Sequence, residues 1–174
     1  QLVLNAEYIY QKRKEYTTII VKVFKEIYNY ISGVEEEVDI IYRSNLEGID
    51  YKLTLSNMLD RDIMMQSTSY GIHKDDILFL IRGVSLKKYG SQGQQKTFTT
   101  SLKISLSDIL YKTIKENIII LLDDIFDKLD EKRILRMIDY LTKEMKYQLF
   151  ITDTDKNRIE QVFNNKLINI IEIN

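Results

Sequence analysis

The sequence has no cysteine, no proline and a single histidine. Without cysteine there is neither a disulfide framework nor a thiolate metal site, and the composition is compatible with a reducing cytosol. Proline at an average usage of about 5% would contribute about nine residues. Beside so many Ile, Lys and Asn, its absence reads as compositional drift. No apolar run approaches the ~18 residues of a membrane span, and the N-terminus lacks a basic-then-apolar signal pattern. The expectation is therefore a soluble, cytoplasmic chain with no membrane partner. Charge of one sign is not in excess either: 25 Lys and Arg stand against 26 Asp and Glu, a net charge of -1. Any basic surface must be local.

What is present is enough for a real core: 174 residues with 44% hydrophobic content, the size of one domain or one domain with an appendage. The chain begins at Gln1 rather than methionine, and the expectation is a piece of a longer protein. From Leu2 to Ile31, apolar residues at Tyr16, Ile20, Val23, Phe24, Ile27 and Ile31 recur at helical spacing, and Ser32-Gly33 reads as its stop. Lys12, Arg13 and Lys14 form a basic cluster that fits phosphate contact or, more commonly, a solvated face. Glu37 to Ser44 alternates as a strand, and Tyr51 to Gln66 returns to helical spacing. A polar loop, Thr68 to Asp76, precedes two short strands, Ile77 to Ile81 and Val84 to Leu86, joined at Arg82-Gly83 as a hairpin.

The stretch from Lys88 to Asp130 organises the rest. Ser91 followed three residues later by Gln94 is the spacing of a capping box, and predicts a helix running through Phe98, Leu102, Leu106, Ile109 and Leu110. A helix start with Gly93 in its first turn exposes N-H groups to an anion; the same spacing also fits an ordinary capped helix. The apolar run Ile118 to Leu122 predicts a buried strand that delivers Asp123 and Asp124 at its C-terminal end. Adjacent carboxylates there repel unless compensated. One would bind magnesium, with its neighbour orienting or deprotonating a water; two solvated loop aspartates are the plainer alternative. Asp127 and Asp130 follow, with Asp130 placed to cap a helix over Glu131 to Met145 carrying Ile134, Leu135, Ile138 and Leu141 on one side.

Tyr147 to Thr152 reads as a strand, Lys156 to Phe163 as a short helix and Lys166 to Ile173 as a last strand. That order predicts an α/β fold with a mostly parallel sheet covered by helices, whose ligands sit at the carboxyl ends of the strands. Asp123-Asp124 ends one strand and Thr152-Asp153-Thr154 another. His73, beside Asp75 and Asp76, has no partners for a zinc site and is expected to make structural hydrogen bonds. None of the six glycines is followed by lysine, so the phosphate-wrapping G-x-x-x-x-G-K-[ST] loop is missing, as is G-x-G-x-x-G. The chain alone cannot assemble a complete Walker nucleotide site.

Three blocks resemble, in order, the RecF family of ABC-type and SMC-type ATPases. Thr68 to Asp76 is similar to its T-x-x-G-P-H-R-D-D block, with Ile72 and Lys74 in place of proline and arginine. Gly90-Ser91-Gln92-Gly93-Gln94-Gln95-Lys96 is similar to its G-S-Q-G-Q-x-R signature, and Leu121 to Asp130 to its Walker B and D-loop. The resemblance implies the C-terminal part of an ABC-type ATPase head plus a helical lobe, divided as 1-67 and 68-174. It implies that Ser91, Gln92, Gly93 and Gln94 meet the ATP of a partner protomer, that Asp123 holds Mg2+, that Asp124 is the catalytic carboxylate and that Asp127 and Asp130 belong to the D-loop. Asp153 falls where ABC relatives place a switch histidine. The implied function is DNA recombination, replication and repair, including the SOS response, by an ATP-dependent homodimer that binds gapped or single/double-strand junction DNA and works with recombination mediator proteins. A fragment without Walker A is expected to be inactive by itself. The alternatives are a non-catalytic interaction module, in which the helices at 2-31 and 51-66 bind a partner, and another SMC-like ATPase, which would not carry the Gly71 to Asp76 block.

Overall fold

The computed structural model describes residues 1-115, 118-123, 125-126, 129-145, 147-163 and 168-172, without the side chain of Arg158. Asp124, Asp127 and the two ends of the strand expected at 166-173 lie outside these residues. Two compact units make up the chain: Gln1–Glu26 with Glu36–Gly90, and Ile27–Glu35 with Ser91–Asn174. No helix among the described residues is long and apolar enough to cross a membrane.

Helix α1, Leu2–Ser32, stops where the sequence places its breaker: Gly33 takes φ 70 and donates its N-H to Asn29 O at 3.0 Å. In the first unit, β1 (Val38–Arg43) pairs antiparallel with β2 (Asp76–Ile81), which pairs with β3 (Val84–Ser85). The β2-β3 hairpin is the expected one. Arg82 and Gly83 both sit at positive φ, 50 and 73, the left-handed pair that a two-residue hairpin needs. Helix α2, Tyr51–Met65, begins at Asp50, whose carboxylate accepts from Leu53 N-H at 2.9 Å. Ala6, Leu46 and Tyr51 form a core with Val3, Tyr10, Leu55, Tyr70 and Ile72 packed on it. A single turn, α3 (Leu86–Tyr89), takes up the end of the second expected hairpin strand.

The second unit carries α4 (Gln92–Ile114), β4 (Ile119–Asp123), α5 (Glu131–Asp139) continued by a π turn (Tyr140–Glu144), β5 (Gln148–Thr152) and α6 (Lys156–Phe163). Strands β4 and β5 are parallel, Ile119 opposite Gln148 through Asp123 opposite Thr152. Parallel strands need a crossover, and α5 with its π turn supplies it. The α/β class therefore holds, with two corrections. Among the described residues the parallel sheet has two strands, and β1, β2 and β3 form a separate antiparallel sheet. Residues 168-172 form no ladder; their Ile/Asn alternation suits a strand locally, but a strand also needs a neighbour's free edge.

The buried face of α4 is a further departure. Leu106 and Leu110 are exposed, while Thr97, Ser101, Ser105 and Asp108 face inward beside Phe98 and Ile104. Thr97 and Ser105 satisfy their hydroxyls one turn back, on Gly93 O at 2.8 Å and Ser101 O at 2.7 Å. Asp108 accepts from Lys112 Nζ at 2.7 Å through Oδ2, whereas among the described residues its Oδ1 and the buried Tyr147 hydroxyl find no hydrogen-bond partner. Burial pushes the Tyr147 phenol up to about 12, and the charge of Asp108 adds to the shift.

A phenol pinned neutral by the fold stabilises it below the unfolded value near 10, and that stability is lost as the pH rises toward 12. Urea unfolding across pH 9 to 12 should therefore show falling stability, with the fall reduced in Tyr147→Phe. At pH 7 the same substitution removes an unbonded buried hydroxyl and should raise stability by about 1 kcal/mol; a loss of that size would mean the hydroxyl is bonded in solution.

Candidate functional site

Helix α4 begins as its sequence requires. Ser91 holds extended backbone, its Oγ accepts from Gln94 N-H at 3.2 Å, and Gln94 Oε1 accepts from Ser91 N-H at 2.9 Å. Gln95 N-H donates to Ser91 O at 2.9 Å. The N-H groups of Gln92 and Gly93 are thus left without intrahelical acceptors at the positive end of a 23-residue helix. Ser91 and Gln92 are exposed.

Gly93 is a normal helical residue, so backbone strain does not account for it. A Cβ at this position would stand 2.7 Å from Arg133 Nη1. The same Nη1 pairs with Asp130 Oδ2 at 3.0 Å, while Asp130 Oδ1 caps α5 by accepting from Arg133 N-H at 3.1 Å. One guanidinium thereby joins Asp130, the expected cap, to the first turn of α4. No feature of local spacing announced Arg133.

Asp123 ends β4, and its Oδ1 accepts a short hydrogen bond from the Thr152 hydroxyl at the end of β5. Asp153 is turned into its own loop, where Oδ1 accepts from Asp155 N-H at 2.6 Å. Thr152 is thus a side chain that meets Asp123. Its position was legible only as the end of a second strand. Asp124 and Asp127 cannot be placed, lying outside the described residues. Among the described residues no cluster of three or more His, Cys, Asp or Glu could hold a metal. A hard cation that takes one or two carboxylates and completes its shell with phosphate and water does not need one, and the oxygen donors at the ends of β4 and β5 fit it chemically.

The Thr68 to Asp76 block, in the first unit, is held by side chains at nearly every step. Ser69 donates through N-H and Oγ to Asp62 Oδ1 at 3.0 and 2.6 Å. Tyr51 Oη donates to Tyr70 O at 3.3 Å, and Gly71 N-H to Asn45 Oδ1 at 3.1 Å. Gly71 has φ 149, a conformation left to glycine, and a Cβ would stand 2.9 Å from both His73 Nδ1 and Tyr51 Oη. His73 Nε2 lies 3.0 Å from Thr68 O, the structural bond expected of it. Arg13 Nη1 donates to Ile72 O at 2.8 Å and to the buried Asp75 Oδ2 at 2.6 Å, where Tyr42 Oη also donates at 2.5 Å. The hydrogen bond to Asp75 raises the Arg13 guanidinium above its usual value. Lys12 and Lys14 pair with Glu15 and Glu47. The basic cluster at 12-14 is therefore a set of ion pairs, with Arg13 spent on holding this loop.

No family model matches the chain. It is similar to the DNA replication and repair protein RecF of Cytophaga hutchinsonii, at 40% identity over 157 residues, 90% of this chain and 42% of that protein. RecF of Azobacteroides pseudotrichonymphae is 40% identical over 162 residues, 93% of this chain and 44% of the relative. Among solved structures, the recombination mediator protein RecF of the RecFOR pathway, described as RecF-ATP, matches with a TM-score of 0.72 at 30% identity, over 89% of this chain and 43% of that one. Its RecF-ATPrS form gives 0.70. The chain thus spans about two-fifths of the length of these relatives, and its α/β architecture with a parallel strand pair matches part of the RecF ABC-type ATPase head.

Replacing the cap tests the helix start. Ser91→Ala should cost about 1 kcal/mol in urea unfolding and Ser91→Asp a few tenths at most; equal losses from both would show that the side chain does more than cap α4.

Proposed function

The chain is a homologue of a segment of RecF proteins, and from that premise we propose that it supplies one part of a DNA recombination and repair ATPase, contributing the signature, Walker B and D-loop residues. The observation that carries this reading is the capped start of α4, where Ser91 fixes the helix and leaves the N-H groups of Gln92 and Gly93 without helical acceptors, an arrangement suited to an anion. On this reading Ser91, Gln92, Gly93 and Gln94 face the terminal phosphate of ATP held by a partner protomer. Asp130, and Asp127 with it, belong to the D-loop at that interface. Asp123 would hold Mg2+, and Asp124 would orient or deprotonate the attacking water. Magnesium bound with nucleotide neutralises phosphate charge and polarises the phosphoryl group. The residues of this chain bind, orient and exclude.

Ile119, Leu121 and Phe150 share one exposed face of the β4-β5 pair, and we read this apolar surface as one that another part of the same protein covers. The division into a helical lobe over 1-67 and an ATPase subdomain over 68-174 belongs to the same reading. So do the cytoplasmic location, the ATP-dependent homodimer, the junction DNA and the mediator partners. A second reading, a protein-interaction module, is favoured by α2, whose Leu59 and Ile63, one turn apart, are exposed on one side.

Light scattering with ATP and Mg2+ separates the two. The full-length protein should double in mass, and Ser91→Arg, which sets a bulky cation against the partner's phosphate, should remain monomeric. If both behave alike, Ser91 is a cap alone and the interaction module takes precedence. The 174-residue chain by itself should neither dimerise with ATP nor turn it over. ATP hydrolysis by this chain that Asp124→Asn abolishes would contradict the proposal.

A further inference from the structure

We propose that Thr152 is a positioning residue of the metal-holding carboxylate: its hydroxyl orients Asp123 across the ends of β5 and β4. The inference rests on the reading of Asp123 as the magnesium-holding residue.

The argument begins with register. Asp123 and Thr152 are partners on the last rung of a parallel ladder, and both belong to the row of exposed positions 119, 121, 123 and 148, 150, 152. Side chains of paired residues project on the same side of a sheet. The two therefore meet where the strands end. Thr152 Oγ1 donates to Asp123 Oδ1. A hydroxyl bonded to a carboxylate makes a charge-assisted bond, stronger than a neutral one.

Threonine is suited to this task. Its β-branch restricts χ1, so the hydroxyl is held in place by the strand itself, and the bond in turn limits rotation of the Asp123 carboxylate. The next residue cannot substitute in the arrangement seen here. Asp153 accepts from Asp155 N-H at 2.6 Å, and Asp155 Oδ1 from Asn157 N-H at 3.0 Å, so both carboxylates serve the turn into α6. Partners that orient a metal ligand typically change metal affinity about 10-fold to 100-fold when removed. A neutral hydroxyl does so without adding charge of its own.

Mn2+ is the probe, because its paramagnetic broadening of amide signals reports weak binding locally and requires no turnover. In 1H-15N spectra of the full-length protein titrated with Mn2+ in the presence of a non-hydrolysable ATP analogue, which supplies the phosphate ligands, the amides around Asp123 and Thr152 should broaden first. Thr152→Val, which keeps the shape and loses the hydroxyl, should move the midpoint upward about 10-fold at an unchanged unfolding temperature. Thr152→Ser should restore the parent midpoint, and Thr152→Ala provides a second hydroxyl-free variant if valine perturbs folding. Asp123→Asn should abolish the local broadening. If Thr152→Val and Thr152→Ala titrate like the parent while Asp123→Asn does not bind, the positioning role is overturned and the metal reading of Asp123 survives. If the parent shows no broadening there, or Asp123→Asn broadens equally, it is the metal reading that fails.

Discussion

Parallel pairing of β4 with β5 is the constraint on which the candidate chemistry depends. Because side chains alternate with a period of two, a one-residue slip in this ladder would set Asp123 against Ile151 or Asp153 and exchange the faces of every neighbour. The observed register puts Asp123 opposite Thr152 on the final rung. Such a pair cannot be joined by a tight turn, so the intervening chain must cross over. That crossover is α5 with its π turn, which buries Ile134, Met137, Ile138 and Leu141 as it returns to β5. A hydrophobic stripe on one helix thus decides which two polar side chains meet at the strand ends.

The start of α4 shows how modest interactions set geometry. A cap contributes about 1 kcal/mol and a partly exposed ion pair such as Arg133 with Asp130 contributes still less. Their importance here is positional. Ser91 and Gln94 define the residue at which the helix begins, Asp130 does the same for α5, and Arg133 occupies the space left by the missing side chain of Gly93. A helix terminus and a neighbouring loop end are thereby held as one piece, with the second glycine of the signature-like run serving that contact.

The block from Thr68 to Asp76 follows a different logic. Backbone carbonyls and amides of this block are bonded by side chains from α1, α2 and the connection that precedes α2. Asp75 is the centre of this arrangement: a buried carboxylate taking Arg13 and Tyr42 on one oxygen. A buried charge is tolerated only when so compensated, which explains why Arg13, whose side chain stays partly exposed, reaches to this loop.

The sequence by itself determined the features that arise between near neighbours. Helical spacing located α1, α2, α4 and α5, Ser91 with Gln94 and Asp130 marked two helix starts, Arg82-Gly83 marked the hairpin, and the apolar run before Asp123 marked a strand. Each follows from contacts within about one turn or one strand pair, and these are written in residue order. Tertiary structure alone decided the rest: the separation of strands into an antiparallel and a parallel sheet, the inward-facing Thr97, Ser101, Ser105 and Asp108 of α4, the contact of Arg133 with Gly93, and the bonds of Arg13 to Asp75 and Thr152 to Asp123. In those last two pairs the partners stand 62 and 29 residues apart. Which distant side chains meet depends on the packing and register of whole elements, and no local pattern of residues encodes that choice.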